Sequence, residues 1–169
     1  IGSILLRIQG FGLLGKIQND MNAGHVPARE LIHGVMIMIA DDDRDQLFYR
    51  GGSGFSKREQ DYLEHYKISL KNPSDGVFYE SFIEGRPILV NDMDLLRTKS
   101  SKRSFRLAEF LDPVAFIICP ISLDDTSVGI IVAGNINTPT KMNTNDKNLM
   151  MGVARQIAGV YKNGEAAVS

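Results

Sequence analysis

The stretch GVMIMIADDDRD, residues 34–45, joins an unbroken apolar run to a cluster of aspartates. An apolar run of this length predicts a strand that is buried on both faces of a sheet. Short carboxylates bind the local backbone, so the aspartate cluster predicts a turn, and Gln46 to Arg50 is then the second strand of a hairpin. The glycine-rich segment GGSG, residues 51–54, is predicted to be the loop that leaves this strand.

A second hairpin is predicted near the C-terminal end of the sequence. Two apolar runs, Val114 to Leu123 and Ser127 to Ile136, are separated by the short polar segment Asp124 to Thr126. Shorter extended segments are predicted at Ile68 to Leu70 and at Ile88 to Val90. Because the strands fall into hairpins, the sequence predicts one mostly antiparallel sheet.

Helices are predicted between and after the strands. Ser56 to Tyr66 has helical composition, and NPSD, residues 72–75, predicts a helix start, with Gly85 as the left-handed stop of that helix. Thr144 is predicted to cap a long final helix. The apolar stripe of the final helix comprises Leu149, Met150, Val153, Ile157, Val160 and Tyr161. The predicted fold class is α+β, with helices on both faces of the sheet.

The composition indicates one domain without a strong charge preference. The chain has 169 residues, of which 43% are hydrophobic, and this suits a single core. Its 19 basic and 20 acidic side chains give a net charge of -1, so we expect no nucleic-acid partner. No apolar stretch approaches the roughly 20 residues that cross a bilayer, so we expect no membrane insertion. The lone Cys119 fits a reducing compartment, and we expect a cytoplasmic protein.

Several short segments, in this order along the chain, resemble the GAF family of sensory domains. Residues 34–41, GVMIMIAD, resemble the first core strand of the family and the hairpin turn after it. The segments DGV, GRP and VND, within residues 75–92, resemble its helix, the glycine stop and the next strand. Residues 119–131 resemble the last hairpin, and MNTND, residues 142–146, resembles the start of the C-terminal helix.

The resemblance covers roughly Leu31 to Asn163. It divides the chain into an N-terminal helical or linker segment (1–30), a GAF domain (31–163) and a frayed tail (164–169). It implies a PAS-like antiparallel sheet of five to six strands, with the N- and C-terminal helices on one face and a ligand pocket under the middle helices on the other. It also implies a regulatory domain of bacterial-type signal transduction, which binds a small molecule and relays its occupancy to an attached output domain.

The resemblance places the pocket on the sheet face opposite the terminal helices. The residues expected to bind the ligand are Met36, Met38, Phe78, Phe82, Asn91, Arg103, Phe105, Arg106 and Ile121. In GAF-like folds the segment before the last hairpin lies over the pocket mouth, and here that segment includes Arg97 to Arg106, which is rich in cations and lacks acids. This basic segment is either a solvated loop or a lid over the pocket. If it is a lid, we expect an anionic ligand, because arginine binds carboxylate or phosphate with paired hydrogen bonds.

The sequence requires no cofactor, and two ligand classes of the family are disfavoured. Asn135 to Asp146 does not reproduce the Asn-Lys…Phe…Asp-Glu signature of members that bind cyclic nucleotides. Members that attach a linear tetrapyrrole use a cysteine in the lid, whereas Cys119 lies in the predicted hairpin. Haem bound through a single histidine stays open as a more distant alternative, with His25, His33 and His65 scattered along the chain.

Metal binding and catalysis are both disfavoured. Asp41, Asp43 and Asp45 match the first positions of a calcium loop, but the glycine and the bidentate glutamate that complete such a loop are missing. The family includes a free-methionine-sulfoxide reductase that works through several cysteines, and Cys119 has no internal resolving partner. We therefore expect an inert, buried Cys119, no metal site and no enzyme activity.

A structural function is the alternative to a sensor. Apolar positions recur every three or four residues from Ile4 to Met21 and predict a helix, although Gly10, Gly12 and Gly15 weaken it. We expect this helix to pair with the helix around Leu149 to Tyr161 across the two-fold axis of a homodimer. In the alternative, the chain is a homodimerisation module whose pocket is vestigial and filled by its own side chains. Because the sequence has no initiator methionine, we expect a longer protein.

Overall fold

A computed structural model describes residues 34–71, 76–92, 113–136 and 142–168 of the chain. The N-terminal helix expected before residue 22 and the basic segment Arg97 to Arg106 lie outside these residues. The described strands and helices are, in order, β1 (Gly34–Ala40), β2 (Gln46–Ser53), α1 (Lys57–Glu64), β3 (Lys67–Ser69), α2 (Gly76–Glu84), β4 (Ile88–Val90), β5 (Pro113–Leu123), β6 (Thr126–Ile136) and α3 (Thr144–Val168).

The strands form one antiparallel sheet in the order β3-β2-β1-β6-β5-β4. The two predicted hairpins, β1-β2 and β5-β6, lie side by side because β1 pairs with β6. Gly34 lies opposite Gly134 and Ile39 lies opposite Gly129, so the turns of both hairpins lie at the same end of the sheet. The predicted α+β class and the antiparallel sheet are confirmed, with six strands among the described residues.

Each face of the sheet buries its own apolar cluster. In β1, Val35, Ile37 and Ile39 belong to the apolar cluster on the face of the sheet that α3 covers, which we call the α3 face. Met36 and Met38 belong to the cluster on the opposite face, under α1 and α2, which we call the α2 face. Side chains alternate along a strand, and because both faces of β1 are covered, its sequence is apolar at every position.

The two hairpin turns depend on different chemistry. Asp124 and Asp125 have φ values of 51° and 65°, as a two-residue type I′ turn requires, and Thr126 already belongs to β6. In the turn between β1 and β2, the Asp41 carboxylate accepts hydrogen bonds from the backbone N–H groups of Asp45 (2.7 Å) and Gln46 (3.2 Å). The aspartate cluster therefore forms the turn that the sequence predicts.

Strand β2 is longer than predicted and contains most of the GGSG segment. It runs to Ser53, and the loop begins only at Gly54, whose φ is 87°. A Cβ added to Gly34 would lie 2.6 Å from the Phe55 ring, and one added to Gly52 would lie 3.0 Å from it. These glycines allow the ring to pack closely on the two strands, which is why a glycine-rich segment lies inside a strand here.

The span of α1 and the end of α2 agree with the prediction, and the cap of α3 is corrected. Helix α1 lies within Ser56 to Tyr66, and Gly85 ends α2 with a φ of 68°. At the start of α3 the cap is Asn143 rather than Thr144. Asn143 Oδ1 accepts a hydrogen bond from the N–H of Asp146 (3.1 Å), and Asp146 Oδ2 accepts one from the N–H of Asn143 (2.8 Å), which makes a reciprocal capping box.

The buried side of α3 differs from the predicted stripe at its first member. Leu149 is 42% exposed, whereas Met150, Val153 and Ile157 are buried in the α3-face cluster. The helix extends to Val168, and the frayed tail expected at residues 164–169 stays a prediction. Helix α3 therefore leaves one apolar side chain of its first turns, Leu149, unburied.

Candidate functional site

Four of the predicted ligand-binding residues form one buried cluster on the α2 face. Met36 and Met38 lie on β1, Phe78 and Phe82 lie on α2, and all four are almost completely buried. Phe78 stacks on Phe116 of β5, with ring centroids 6.0 Å apart and 5° between the ring planes. The structure thus brings these four residues together, and in this arrangement they contribute to the core.

The fold fixes α2, which carries the two phenylalanines, from its inner and its outer side. The Ser81 hydroxyl is buried and donates a hydrogen bond to the carbonyl oxygen of Arg86 at 2.8 Å, which closes the turn after the helix. On the outer side, the Arg86 guanidinium forms ion pairs with Glu80 and Glu84. These contacts fix the end of α2 and the turn that follows it.

Two predicted residues, Ile121 and Asn91, are not part of this cluster. Ile121 pairs with Gly129, which in turn pairs with Ile39, and partners in adjacent antiparallel strands share a face. Ile121 therefore belongs to the α3-face cluster. The Asn91 side chain hydrogen bonds to the backbone of Met142 instead. Their positions correct the expectation that both line a pocket on the α2 face.

The remaining predicted site residues, Arg103, Phe105 and Arg106, lie outside the described residues. The same applies to the other cations of the basic segment. Their contribution to a ligand site stays a prediction.

Arg44, which the sequence analysis placed only in a turn, lies at the margin of the α2-face cluster. Its Cζ atom lies 5.0 Å from the centroid of the Phe82 ring, and its Nη1 donates a hydrogen bond to the carbonyl oxygen of Ser127 at 2.7 Å. The residue has a φ of 57°, which is uncommon for residues other than glycine. Arg44 thus connects the β1-β2 turn with α2 and β6. Its position as the single cation in DDDRD was the available signal.

A group of aromatic side chains adjoins the same cluster near α1. Burial, and then the negative charge of Glu64, raise the pKa of Tyr49 to about 12. Tyr49 is therefore a neutral hydroxyl at physiological pH and can donate a hydrogen bond. Tyr62 and Tyr66 of the same group stack on each other, with ring centroids 5.8 Å apart. These residues carry no distinguishing signal in the sequence, because tyrosines at such positions are also ordinary core residues.

Comparison with known protein families adds independent information. The family model of the GAF domain matches residues 25–160. This chain belongs to the GAF family. The matched range contains all six strands of the sheet together with α1 and α2. A search of curated protein sequences gives no significant match.

Solved structures share the GAF fold with this chain. The GAF domain region of a putative membrane protein from Geobacter sulfurreducens PCA has a TM-score of 0.67 at 18% identity, with 96% of each chain covered. A methyl-accepting chemotaxis protein has a TM-score of 0.64 at 19% identity, with 80% of this chain and 81% of that chain covered. A type II free methionine-R-sulfoxide reductase from Thermoplasma acidophilum has a TM-score of 0.59 at 14% identity, with 89% and 96% covered. At these identities the similarity indicates the fold alone.

Membership of the GAF family gives the broad functional class. GAF domains are sensory regulatory domains that occur within larger signalling proteins. None of the helices in the described part of this GAF domain is both long and apolar enough to cross a membrane.

Cys119 of this GAF domain is fully buried in the α3-face cluster. Burial raises the pKa of its thiol to about 12, although the positive charge of Lys147 lowers it in part. A nucleophilic or redox-active cysteine reacts as the thiolate, so this side chain is held in its unreactive form. The fold that the domain shares with a reductase therefore does not bring a reactive Cys119 with it.

Two of the groups considered for metal or haem binding, Asp41 and His65, are engaged in local structure. Asp41 binds two backbone N–H groups of its own turn. His65 is exposed at the end of α1, where its Nδ1 lies 2.8 Å from the carbonyl oxygen of Asp61, and His25 and His33 lie outside the described residues. Within residues 34–71, 76–92, 113–136 and 142–168, no three His, Cys, Asp or Glu side chains are placed to hold a metal ion.

Proposed function

We propose that this GAF domain is a sensory module that binds a small anionic ligand and relays its occupancy to an output domain of a larger signalling protein. The observation that carries the proposal is the cluster of Met36, Met38, Phe78 and Phe82 on the α2 face of a domain from a sensory family. Small-molecule sites are mostly apolar, with a few polar groups that fix the orientation of the ligand. The cluster would supply the apolar floor of such a site.

The proposed charge of the ligand depends on the cations of the basic segment and on Arg44. The basic segment Arg97 to Arg106 lies in sequence between β4 and β5, and Arg44 stacks on Phe82 at the margin of the cluster. A charge-assisted hydrogen bond contributes about 1.5–3 kcal/mol when it is partly desolvated, whereas an exposed ion pair contributes little. The proposal therefore requires the basic segment to close over the ligand and to exclude water.

The proposed relay runs through α3. Met150, Val153 and Ile157 attach this helix to the sheet through the α3-face cluster, which also contains Ile117 and Cys119 of β5. Because packed cores deform little, a helix attached in this way moves with the sheet. We propose that α3 pairs with the N-terminal segment of a second copy and carries the change to the output domain, in the cytoplasm.

Substitutions in the basic segment test the ligand-binding part of the proposal. Arg103→Ala and Arg106→Ala should each weaken binding of pyrophosphate and of citrate several-fold in calorimetric titrations, and should reduce its dependence on salt, because one ionic contact is removed. Arg155→Ala removes an exposed cation of α3 and is the matched control, which should bind like the wild type. If only neutral, apolar compounds bind, unaffected by these substitutions and by ionic strength, the proposed anionic ligand is wrong.

A structural homodimerisation module is the second candidate function. One observation favours it, namely that neighbouring side chains bury Phe78 and Phe82 almost completely. Leu149 is exposed, and Gly152 and Gly159 have no neighbouring atoms within 4 Å of an added Cβ, so the outer side of α3 can accept a second copy closely. Sedimentation of the wild type against Leu149→Lys tests this interface, because a charge there should shift a dimer towards monomer. A wild-type monomer at micromolar concentration would contradict it.

A further inference from the structure

The side chain of Asn91 connects two segments that are far apart in the sequence. Its Nδ2 donates a hydrogen bond to the carbonyl oxygen of Met142 at 2.8 Å, and its Oδ1 accepts one from the N–H of Met142 at 3.0 Å. The amide group thus satisfies both backbone groups of one residue, which leaves a single consistent orientation for it. We call this pair of hydrogen bonds the Asn91 clamp.

The clamp joins residues that are adjacent to the two faces of the sheet. β4 is an edge strand, and its last residue, Val90, is buried in the α2-face cluster and pairs with Phe116. The next residue, Asn91, reaches Met142, whose side chain is buried in the α3-face cluster. Met142 immediately precedes Asn143, the cap of α3. One residue at the sheet edge therefore joins the α2 face to the start of α3.

A second polar contact, between α3 and the β5-β6 turn, is of a different kind. Lys162 Nζ lies 3.6 Å from Asp124 Oδ1, between side chains that are 63% and 84% exposed. Such a pair is screened by water and salt and constrains the helix little. The Asn91 clamp involves the partly buried backbone of Met142, and a buried N–H or C=O group that loses its partner is costly. Of the two contacts, the clamp is the one able to hold α3 in a fixed relation to its neighbour.

The geometry points to Asn91 as the positioning residue that couples the α2 face to the start of α3. This inference rests on the proposed sensory function, because it names the route by which a change under α2 reaches the relay helix. Phe78 stacks on Phe116, and Phe116 pairs with Val90 of β4, so a displacement of Phe78 moves both residues. The clamp then transfers the movement of β4 to the first turn of α3. Such a route implies a coupling free energy between Phe78 and Asn91, and this energy has to be measured.

A double-mutant cycle followed by hydrogen exchange provides that measurement without any ligand. Phe78→Leu perturbs the α2 face, and Asn91→Ala removes the clamp. The readout is exchange at amides 147–151, whose acceptors are the carbonyl groups of the first turn of α3, normalised to amides at the centre of β1 and β6. We expect Asn91→Ala alone to raise this exchange roughly tenfold, because the first turn opens more often. Phe78→Leu should raise it several-fold when Asn91 is present and leave it unchanged when Asn91 is absent.

Two further variants keep the test interpretable. Asp124→Ala removes the contact at the other end of α3 and is the matched control, so Phe78→Leu should retain its full effect in that background. If Asn91→Ala does not fold, Asn91→Asp keeps the acceptor for the Met142 N–H and removes the donor, and it should retain only part of the coupling. Equal effects of Phe78→Leu with and without Asn91 would overturn the inference, as would no effect in the wild type. Neither result depends on a ligand, so the failure of this route and the failure of ligand binding are distinguishable.

Discussion

Gly129 lies where the central strands β1 and β6 approach each other too closely for a larger residue. It lies on β6 opposite Ile39, and a Cβ at this position would lie 2.4 Å from the carbonyl oxygen of Met38, 2.7 Å from Ile39 Cδ1 and 3.2 Å from Ile39 Cα. Two of these three atoms belong to the backbone, so rotation of a side chain cannot relieve the contact. Gly129→Ala must therefore move β1 away from β6.

The structure sets the size of this effect. A comfortable contact requires a displacement of roughly 1 Å, because nonbonded heavy atoms prefer separations near 3.5 Å. Overpacking costs about 1–3 kcal/mol, and the displaced strands lose one or two backbone hydrogen bonds at about 1 kcal/mol each. The lower entropy of the unfolded alanine chain offsets about 0.4–1 kcal/mol. Gly129→Ala should therefore lower the free energy of unfolding by about 2–4 kcal/mol.

Urea denaturation followed by circular dichroism measures this difference, with the slope m as a check that the unfolding transition is otherwise unaltered. In Gly34→Ala the new Cβ meets the Phe55 ring, which can rotate, so this variant should lose only about 1 kcal/mol. Gly152→Ala is the control, because nothing lies within 4 Å of its Cβ and helix propensity alone should stabilise it by up to about 1 kcal/mol. A Gly129→Ala variant as stable as Gly34→Ala would mean that β1 and β6 can accommodate a Cβ here without separating.

Three other predictions follow from individual contacts. Cys119 should not react with a thiol reagent at pH 8 unless the protein is unfolded. Burial raises the pKa of this thiol from 9.0 to about 12 in the folded protein. The stability gained from the neutral thiol should therefore be present below pH 9 and be lost as the pH rises towards 12. Asn143→Ala should cost about 1 kcal/mol in urea denaturation, because it removes the cap of α3. Arg44→Ala should cost about 1–2 kcal/mol through its contacts with Ser127 and Phe82, and Arg44→Gly should cost less, because glycine adopts the positive φ without strain.

Each of these predictions has a result that contradicts it. Rapid modification of Cys119 in the native protein would mean that β5 is accessible from the α3 face. A Thr144→Ala variant that is less stable than Asn143→Ala would return the cap of α3 to the residue predicted from sequence. An Arg44→Gly variant that loses more stability than Arg44→Ala would mean that the turn does not strain this residue.

The sequence predicted the elements of the fold well, because each element has its own local signal. The apolar run in residues 34–40 is buried on both faces, and the aspartates after it form the turn. The cap of α3 could also have been found, since Asn143 has an acidic residue three positions later, as a capping box requires, whereas Thr144 has Lys147 there. Local chemistry was therefore sufficient for most helix and strand boundaries.

The sequence could not predict which face each residue of a doubly buried strand occupies. Ile121 lies on the face of Ile39 because of the register across β1, β6 and β5, and β5 also changes register between Ile121 and Ser122. An apolar run without alternation carries no signal of this register. The partner of Asn91 was equally hidden, because a hydrogen bond to Met142 spans 51 residues of sequence and leaves no local pattern.

Native mass spectrometry of the freshly purified protein can show whether this GAF domain is a sensor with a small anionic ligand. We expect a species heavier than the polypeptide by the mass of one small anion per chain, and this adduct should decrease in the Arg103→Ala and Arg106→Ala variants but persist in Arg155→Ala. A bare polypeptide mass that is unchanged after incubation with pyrophosphate or citrate, from a protein that sediments as a dimer, would contradict the sensor and leave the homodimerisation module as the function of the domain.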